Sequence, residues 1–122
     1  DFPRAWYALG LLLTFDIYIV NDQFKEYPQA TIRWAFHGDK KKTLAQGSQV
    51  VDIAQDCVMK TCQANFDTEY SKPGNYSLFL EIIPADGSPS IGNKYEFELR
   101  EFPVKPTLRG SFLDPVVDLI NM

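Results

Sequence analysis

The sequence is poor in cysteine and histidine, and this scarcity excludes several kinds of small domain. Its two cysteines, Cys57 and Cys62, are too few for a disulfide-dense mini-fold. A structural zinc site needs four ligands, and His37 is the only histidine that would add to the two thiols. The spacing is not the redox pattern Cys-x-x-Cys. Because the two positions differ by an odd number, one extended strand would place the thiols on opposite faces, and a disulfide between them would need a bend.

Basic clusters and long apolar runs are also missing. The net charge is −4 and the largest basic cluster is Lys40–Lys42, so the electrostatic footprint of a nucleic-acid-binding protein is absent. The longest apolar stretch, Ala8–Val20, is interrupted by Asp16 and is shorter than the roughly 18 residues that a membrane-spanning helix needs. The dinucleotide fingerprint Gly-x-Gly-x-x-Gly does not occur. We therefore expect no nucleic-acid partner, no membrane insertion, no cofactor and no metal.

The sequence does contain enough apolar residues for one core. It has 122 residues, of which 45% are hydrophobic, as expected for a single folded domain. Apolar and polar residues alternate with the period of a half-buried strand, and no sustained helical period lies between these segments. About seven short strands with turn signals between them predict an all-β, antiparallel two-sheet sandwich. The predicted strands are Phe15–Val20, Ala30–His37, Leu44–Gly47, Ser48–Ala54, Thr61–Phe66, Tyr76–Ile83 and Lys94–Arg100.

The three clearest strands predict which side chains fill the core. In each of them, the apolar residues fall on one face and the charged residues mostly fall on the other. We expect one core that contains Trp34, Tyr76, Leu78, Leu80, Tyr95 and Phe97.

The two ends of the chain are expected to lie outside the sandwich, which spans residues 11–102. The chain begins with Asp1 rather than Met, which indicates a mature or excised piece, and residues 1–10 are interpreted as a connecting segment from a preceding domain. Within that segment, Trp6–Leu9 is expected to form one helical turn. Residues 103–122 are a tail or linker. There Asp114 and Pro115 have the pattern of a helix start, so a short helix over 116–120 and an extended linker both remain open.

Two features resemble an immunoglobulin-like sandwich. Trp34 lies in the third strand position, where such folds bury a tryptophan, and Tyr76 precedes the inward position Leu78 by two residues, as in a tyrosine corner. Leu78 occupies the position of the second cysteine of antibody domains, and neither Ile17 nor Ile19 supplies the first. An antibody-type domain is therefore not expected, and hydrophobic packing must replace the disulfide.

The order of three segments is similar to the immunoglobulin-like accessory domains of family 2 glycoside hydrolases, with the β-mannosidase-like and exo-glucosaminidase-like branches nearest and the β-galactosidase-like enzymes in the same group. The resemblance covers about residues 3–102, and Pro3–Leu9 is similar to the segment by which such chains leave the catalytic barrel. The matching segments are Phe15–Asp22, Thr31–Trp34 and Gly87–Phe97.

This resemblance implies a non-catalytic domain that supports a catalytic barrel of the same polypeptide. The acid and the nucleophile would then lie in the barrel, outside this chain. The partners would be the catalytic and other domains of that polypeptide, with Trp6 and Tyr7 as the candidate interdomain contact residues. A periplasmic or secreted location is favoured.

The residues themselves contain no recognisable catalytic pattern. Retaining glycosidases need two carboxyl groups about 5–5.5 Å apart, and none of the carboxylates has such a context. Glu96 and Glu98, for example, belong to the polar face of a strand. His37 has no Gly-x-Ser-x-Gly motif to accompany it. We therefore assign no catalytic, cofactor-binding or metal-binding residue.

Two other functions remain open, a free-standing carbohydrate-binding module and a fibronectin-like adhesion or spacer domain. A carbohydrate-binding module predicts a row of exposed aromatic rings on one face or at one loop end, whereas an accessory domain predicts apolar surface at Trp6, Tyr7 and the tail. An adhesion or spacer domain predicts neither. The aromatic residues expected to be exposed are Trp6, Tyr18, Tyr27 and Tyr70.

Overall fold

A computed structural model describes the backbone of residues 5–101 and 116–118 and the side chains of residues 6–101. These residues form eight β-strands, and their only helical element is a single 3₁₀ turn at Asp39–Lys41. The chain is therefore all-β, as the alternation predicts. The strands are β1 Ala5–Ala8, β2 Leu12–Asn21, β3 Tyr27–His37, β4 Thr43–Ile53, β5 Cys57–Asp67, β6 Gly74–Ile83, β7 Ile91–Arg100 and β8 Val116–Asp118.

The strands form the predicted two-sheet sandwich. One sheet has five strands in the order β1-β7-β6-β3-β4, and the other has three in the order β5-β2-β8. Neighbouring strands are antiparallel except for the two short ones, since β1 runs parallel to β7 and β8 runs parallel to β2. The adjacency of β7, β6 and β3 in one sheet, with β2 beside β5 in the other, is the order of an immunoglobulin-like sandwich.

The core lies between the sheets because every second side chain of the long strands is apolar. In β2, the residues Leu13, Phe15, Ile17 and Ile19 are fully buried and alternate with half-buried neighbours. Phe36 of β3 lies at the centre of an aromatic cluster, with its ring centroid 5.5 Å from that of Phe15. Such contacts between buried rings replace the inter-sheet disulfide that this chain does not have.

The prediction of which strand face points into the core is confirmed, but three of the six predicted core residues are only half-buried. Leu78, Leu80 and Phe97 are fully buried, whereas Trp34 is half-buried and packs against the core from one side. Tyr76 and Tyr95 are half-buried in the same way. The indole of Trp34 lies over Gly47 of the outer strand β4, at the side of the core rather than at its centre.

Tyr76 forms the predicted tyrosine corner. Its hydroxyl donates a hydrogen bond of 2.5 Å to the backbone carbonyl of Lys72, in the loop before β6. Its ring stacks on Phe97 of β7 at a centroid distance of 6.0 Å. The side chain therefore fixes the loop before β6 to the edge of the core.

Most strands begin two or three residues earlier than the sequence predicts, and two differ more substantially. The segments Leu44–Gly47 and Ser48–Ala54 form one continuous strand, β4, because Gly47 continues the pairing with β3 opposite Trp34. Strand β5 begins at Cys57 rather than near Thr61, because a bulge interrupts the alternation.

That bulge also corrects the prediction for the two cysteines. Ile17 pairs with Cys62 and the next residue of β2 pairs with Lys60, so Thr61 is the extra residue. The Thr61 hydroxyl donates a 2.9 Å hydrogen bond to the carbonyl of Ile17. One extra residue reverses the alternation, so Cys57 and Cys62 lie on the same face, both half-buried and both as free thiols.

The two ends of the described chain are extended. Residues 5–8 form strand β1 beside β7 instead of a helical turn, so this part of the connecting segment 1–10 belongs to the five-stranded sheet. Residues 116–118 form strand β8 beside β2, which replaces the helix considered for 116–120 at these three positions. The remaining residues of the two end segments, 1–4, 103–115 and 119–122, lie outside the described residues, as does residue 102.

Candidate functional site

The two candidate interdomain residues are neighbours in β1 but point in opposite directions. Tyr7 is only 4% exposed, and its ring packs edge-on against Phe15 and Phe97 at 5.8 Å from each. Burial raises the pKa of the Tyr7 hydroxyl to about 12. The expectation of apolar surface at Tyr7 is therefore wrong, because this side chain completes the core of its own domain.

Trp6 does offer surface. Its side chain is 42% exposed on the outer face of the five-stranded sheet, where β1 is an edge strand. The guanidinium of Arg100 lies 4.9 Å from the centre of the indole ring, and the Arg100 Nε donates a 2.8 Å hydrogen bond to Glu98. An indole held in place by a paired arginine is a preformed contact surface, since tryptophan and arginine are both enriched in protein interfaces.

A second feature lies at the end of the sandwich where β3 turns into β4 and β5 turns into β6. Two adjoining depressions of about 320 Å³ and 310 Å³ meet here, and we name them together the loop-end groove. The ring of Tyr70 at its rim is 93% exposed. The groove is lined by residues 37–42, Leu44, residues 70–77, Lys94 and Glu96.

The rim of the loop-end groove is built by an unusual turn. After Gly38, the residues Lys40 and Lys41 both adopt positive φ, 61° and 59°, which non-glycine residues rarely do. The turn is closed by a 3.0 Å hydrogen bond from the Gly38 amide to the Lys42 carbonyl. This conformation displays three exposed lysines at the mouth of the groove.

The groove combines polar groups with one exposed ring. Its outer-face side holds His37 and an ion pair in which Lys94 Nζ lies 3.5 Å from a carboxylate oxygen of Glu96. The hydroxyl of Tyr76 is already bonded to Lys72, so Tyr70 is the more accessible of the two tyrosines that line the groove. Asn75, the first residue of an Asn-Tyr-Ser glycosylation pattern, is exposed at the same place. Polar donors and acceptors beside an exposed aromatic ring suit a sugar.

Among residues 6–101, the other aromatic side chains do not extend this ring into a row. Tyr27, which was expected to be exposed, is buried, with its hydroxyl donating a 2.7 Å hydrogen bond to Gln23, and Tyr18 is half-buried. Phe24 is exposed, but it lies in the β2–β3 loop at the opposite end of the sandwich. The sequence pattern did not single out Phe24, because a loop residue has no alternation to interpret.

Five carboxylates of the described residues, those of Asp16, Glu81, Asp86, Glu96 and Glu98, are engaged in surface ion pairs. The Asp16 carboxylate accepts a 2.8 Å hydrogen bond from Gln63 and lies 3.3 Å from Lys60, and these contacts lower its pKa. Asp86 pairs with Lys25 at 2.8 Å, which lowers the pKa of Asp86. Both shifts run opposite to that of a glycosidase general acid, whose pKa is raised.

Two further arrangements are absent from the part of the chain that the structure describes. In residues 5–101 and 116–118, no group of three or more His, Cys, Asp or Glu side chains is placed to hold a metal ion. Within the same residues, no helix has the length and the apolar character needed to cross a membrane.

Comparison with known proteins adds no relative to this picture. No family model matches the chain, and no curated protein matches its sequence. The exposed Trp6 edge and the loop-end groove are therefore the two features from which a function can be argued.

Proposed function

We propose that this chain is a non-catalytic accessory domain of a multidomain glycoside hydrolase of family 2, where it supports the catalytic barrel. The observation that carries the proposal is the role of Asn21, which belongs to the Val-Asn-Asp motif of the resemblance. Asn21 is 1% exposed, and its amide donates 2.9 Å hydrogen bonds to the carbonyls of Lys25 and Ala54. Its side-chain oxygen accepts a 3.1 Å hydrogen bond from the amide of Gln23.

These hydrogen bonds give Asn21, and through it the Val-Asn-Asp motif, a structural role in the fold. A buried asparagine whose donors and acceptor are all paired cannot be replaced without leaving a polar group unsatisfied. Asn21 connects the β2–β3 loop to the residue that follows β4, so the motif defines the shape of this end of the sandwich. A motif that builds the scaffold, together with surface carboxylates that are engaged in ion pairs, supports a structural role.

The exposed Trp6 supports docking against a neighbouring domain. It lies in the first strand, on the sheet edge, with Arg100 stacked on one side of the indole. Covering a large aromatic side chain contributes roughly 25 cal/mol for each Å² of apolar surface removed from water. A barrel that precedes this domain would gain stability from this contact.

The first test is the sequence encoded upstream of Asp1 in the parent gene. A barrel with two catalytic glutamates supports the proposal, whereas another sandwich or a signal peptide overturns it. In the parent enzyme, Trp6→Ala is expected to lower the unfolding temperature more than Phe24→Ala, which removes a more exposed ring, 85% against 42%, at the far end of the sandwich. In the isolated chain the two substitutions should differ much less, because no neighbour covers Trp6.

The loop-end groove favours a second candidate function, that of a free-standing carbohydrate-binding module. Tyr70 supplies an exposed ring, Lys42 lines the same depression, and Lys40 and Lys41 line the adjoining one. Calorimetric titration with neutral and acidic oligosaccharides would detect such binding. Tyr70→Ala should then abolish the heat of binding while Phe24→Ala retains it, and equal affinities for all three chains would exclude the groove as the site.

A further inference from the structure

The four sheet edges of the sandwich differ in how well they are protected against pairing with another strand. Edge strands expose unpaired backbone donors and acceptors, and proteins protect them by shortness, charge, proline or bulges. Within the described residues, β1 has four residues and β8 has three. Strand β5 has eleven residues but contains the Thr61 bulge and the charged residues Lys60 and Asp67. These three edges are therefore poor templates for a further strand.

The fourth edge, β4, has none of these protections over most of its length. It has eleven residues and is the terminal strand of the five-stranded sheet as described. From Thr43 to Val51 it contains no charged residue and no proline. Its pairing with β3 is regular between Ala45 and Val51, so this stretch of the edge contains no bulge. Val50 is 62% exposed and adds apolar surface.

We propose that β4 pairs antiparallel with β4 of a second copy of this chain, so that one sheet continues across both molecules. A two-fold axis near Gly47 makes the edge complementary to itself, since each residue then faces its counterpart at an equal distance from that centre. Gln46 lies opposite Ser48 of the second copy, and Ala45 lies opposite Gln49. These are small or uncharged pairs that let the two backbones approach.

The charges at the two ends of β4 select this antiparallel arrangement. Lys41 and Lys42 precede the strand, and Asp52 lies near its end. Antiparallel pairing brings the Asp52 of each copy beside the lysines of the other, whereas parallel pairing would align like charges. The Asp52 carboxylate also accepts, through its Oδ1, a 2.8 Å hydrogen bond from the Gln29 amide of the inner neighbour β3. The two-fold axis forms each charge contact twice.

The inference does not depend on the proposed function, because it rests only on the edge of the sheet. A single pair of edge strands forms a smaller interface than the standard 1,600 ± 400 Å², so roughly micromolar or weaker dissociation constants are expected. The whole chain should sediment as a monomer at low concentration and as a dimer at high concentration. Sedimentation velocity across a concentration series measures this.

Two matched variants locate the interface. Val50→Lys places a charge on the β4 edge, and Val58→Lys places the same charge on β5, where the valine is 68% exposed. Val50→Lys is expected to raise the dissociation constant by about tenfold or more, since charge is the usual protection of an edge. Val58→Lys should leave the constant unchanged. Thermal unfolding of each variant establishes that the fold is intact.

A charge exchange tests the register. Because residues 46 and 48 face each other across the axis, Gln46→Lys/Ser48→Lys and Gln46→Glu/Ser48→Glu should each be monomeric alone and should form a heterodimer when mixed. A wild-type chain that stays monomeric at millimolar concentration overturns the proposal. So does a dimer that Val58→Lys weakens as much as Val50→Lys, or a mixture of the two charge variants that remains monomeric.

Discussion

The indole of Trp34 lies so close to Gly47 on the neighbouring strand that a Cβ at position 47 would be 2.5 Å from the ring atom Cζ2. The two residues are direct cross-strand partners. Glycine is therefore required here by the space that the ring occupies rather than by a turn. The contact between the Trp34 ring and Gly47 also explains why strand β4 continues through a glycine, a residue type that usually weakens or interrupts a strand.

Gly47→Ala is expected to destabilise the domain by about 1–3 kcal/mol, because the ring or the strand must move to admit a methyl group. Gly92→Ala is a matched control in another strand, where the nearest atom is Cζ of Phe79 at 3.3 Å and that ring is partly exposed. Urea titration of the two variants measures the difference. An equal loss in both would show that the Trp34 indole moves aside without cost.

Tyr76→Phe is expected to cost about 0.5–1.5 kcal/mol of unfolding free energy, since it removes the hydrogen bond to Lys72 and keeps the ring that stacks on Phe97. Tyr70→Phe removes a hydroxyl from a ring that is almost fully exposed and should be neutral. Chemical denaturation at neutral pH compares them. If Tyr76→Phe were as stable as the wild type, the tyrosine corner would contribute only its ring to the fold.

The sequence predicts best those strands whose alternation is local. Strand β7 is an example, because Phe97 and Leu99 are buried between exposed or half-buried neighbours, and the pattern is visible within a few residues. Strand β1 was not predicted, since four residues cannot establish a period and their partner strand lies some ninety positions later in the chain. The bulge at Thr61 was not predicted either, because a bulge is defined by the pairing register with another strand, here β2, and not by the local sequence.

The candidate site was less predictable than the fold. Trp6 was identified as a contact residue from its resemblance to a segment that leaves a barrel, and the structure does place it on the surface. Tyr7 was assigned the same role, but adjacent residues of a strand face opposite sides, so one of the two had to point into the core. The loop-end groove arises from two loops that are far apart in sequence, and no local pattern contains it.

The pair formed by Lys25 and Asp86 predicts a pH dependence of stability. Lys25 and the Ser88 amide and hydroxyl lower the pKa of Asp86 in the folded chain. A carboxyl group with a lowered folded pKa stabilises the fold above its unfolded value of about 3.9, and this contribution is lost as the pH falls. Asp86→Asn should therefore lower the unfolding temperature at pH near neutrality and have a smaller effect in acid.

Salt and a partner variant separate this pair from other acid effects. Because both side chains are substantially exposed, high salt should reduce the effect of Asp86→Asn at neutral pH. Lys25→Gln combined with Asp86→Asn should lose little more stability than either change alone. A difference between wild type and Asp86→Asn that grows as the pH falls would contradict this assignment.

The isolated chain is expected to have no glycosidase activity of its own. General-acid catalysis at neutral pH needs a carboxyl group whose pKa is raised by an apolar environment, and the contacts of Asp16 and Asp86 lower theirs. Glu98 is hydrogen-bonded to Arg100 and Glu96 is paired with Lys94 on an exposed sheet face. A panel of nitrophenyl β-glycosides incubated with purified chain should release nitrophenol at the rate of buffer alone. Turnover that rises with protein concentration and disappears on changing one carboxylate to its amide, for example Glu96→Gln, would instead place catalytic machinery in this domain.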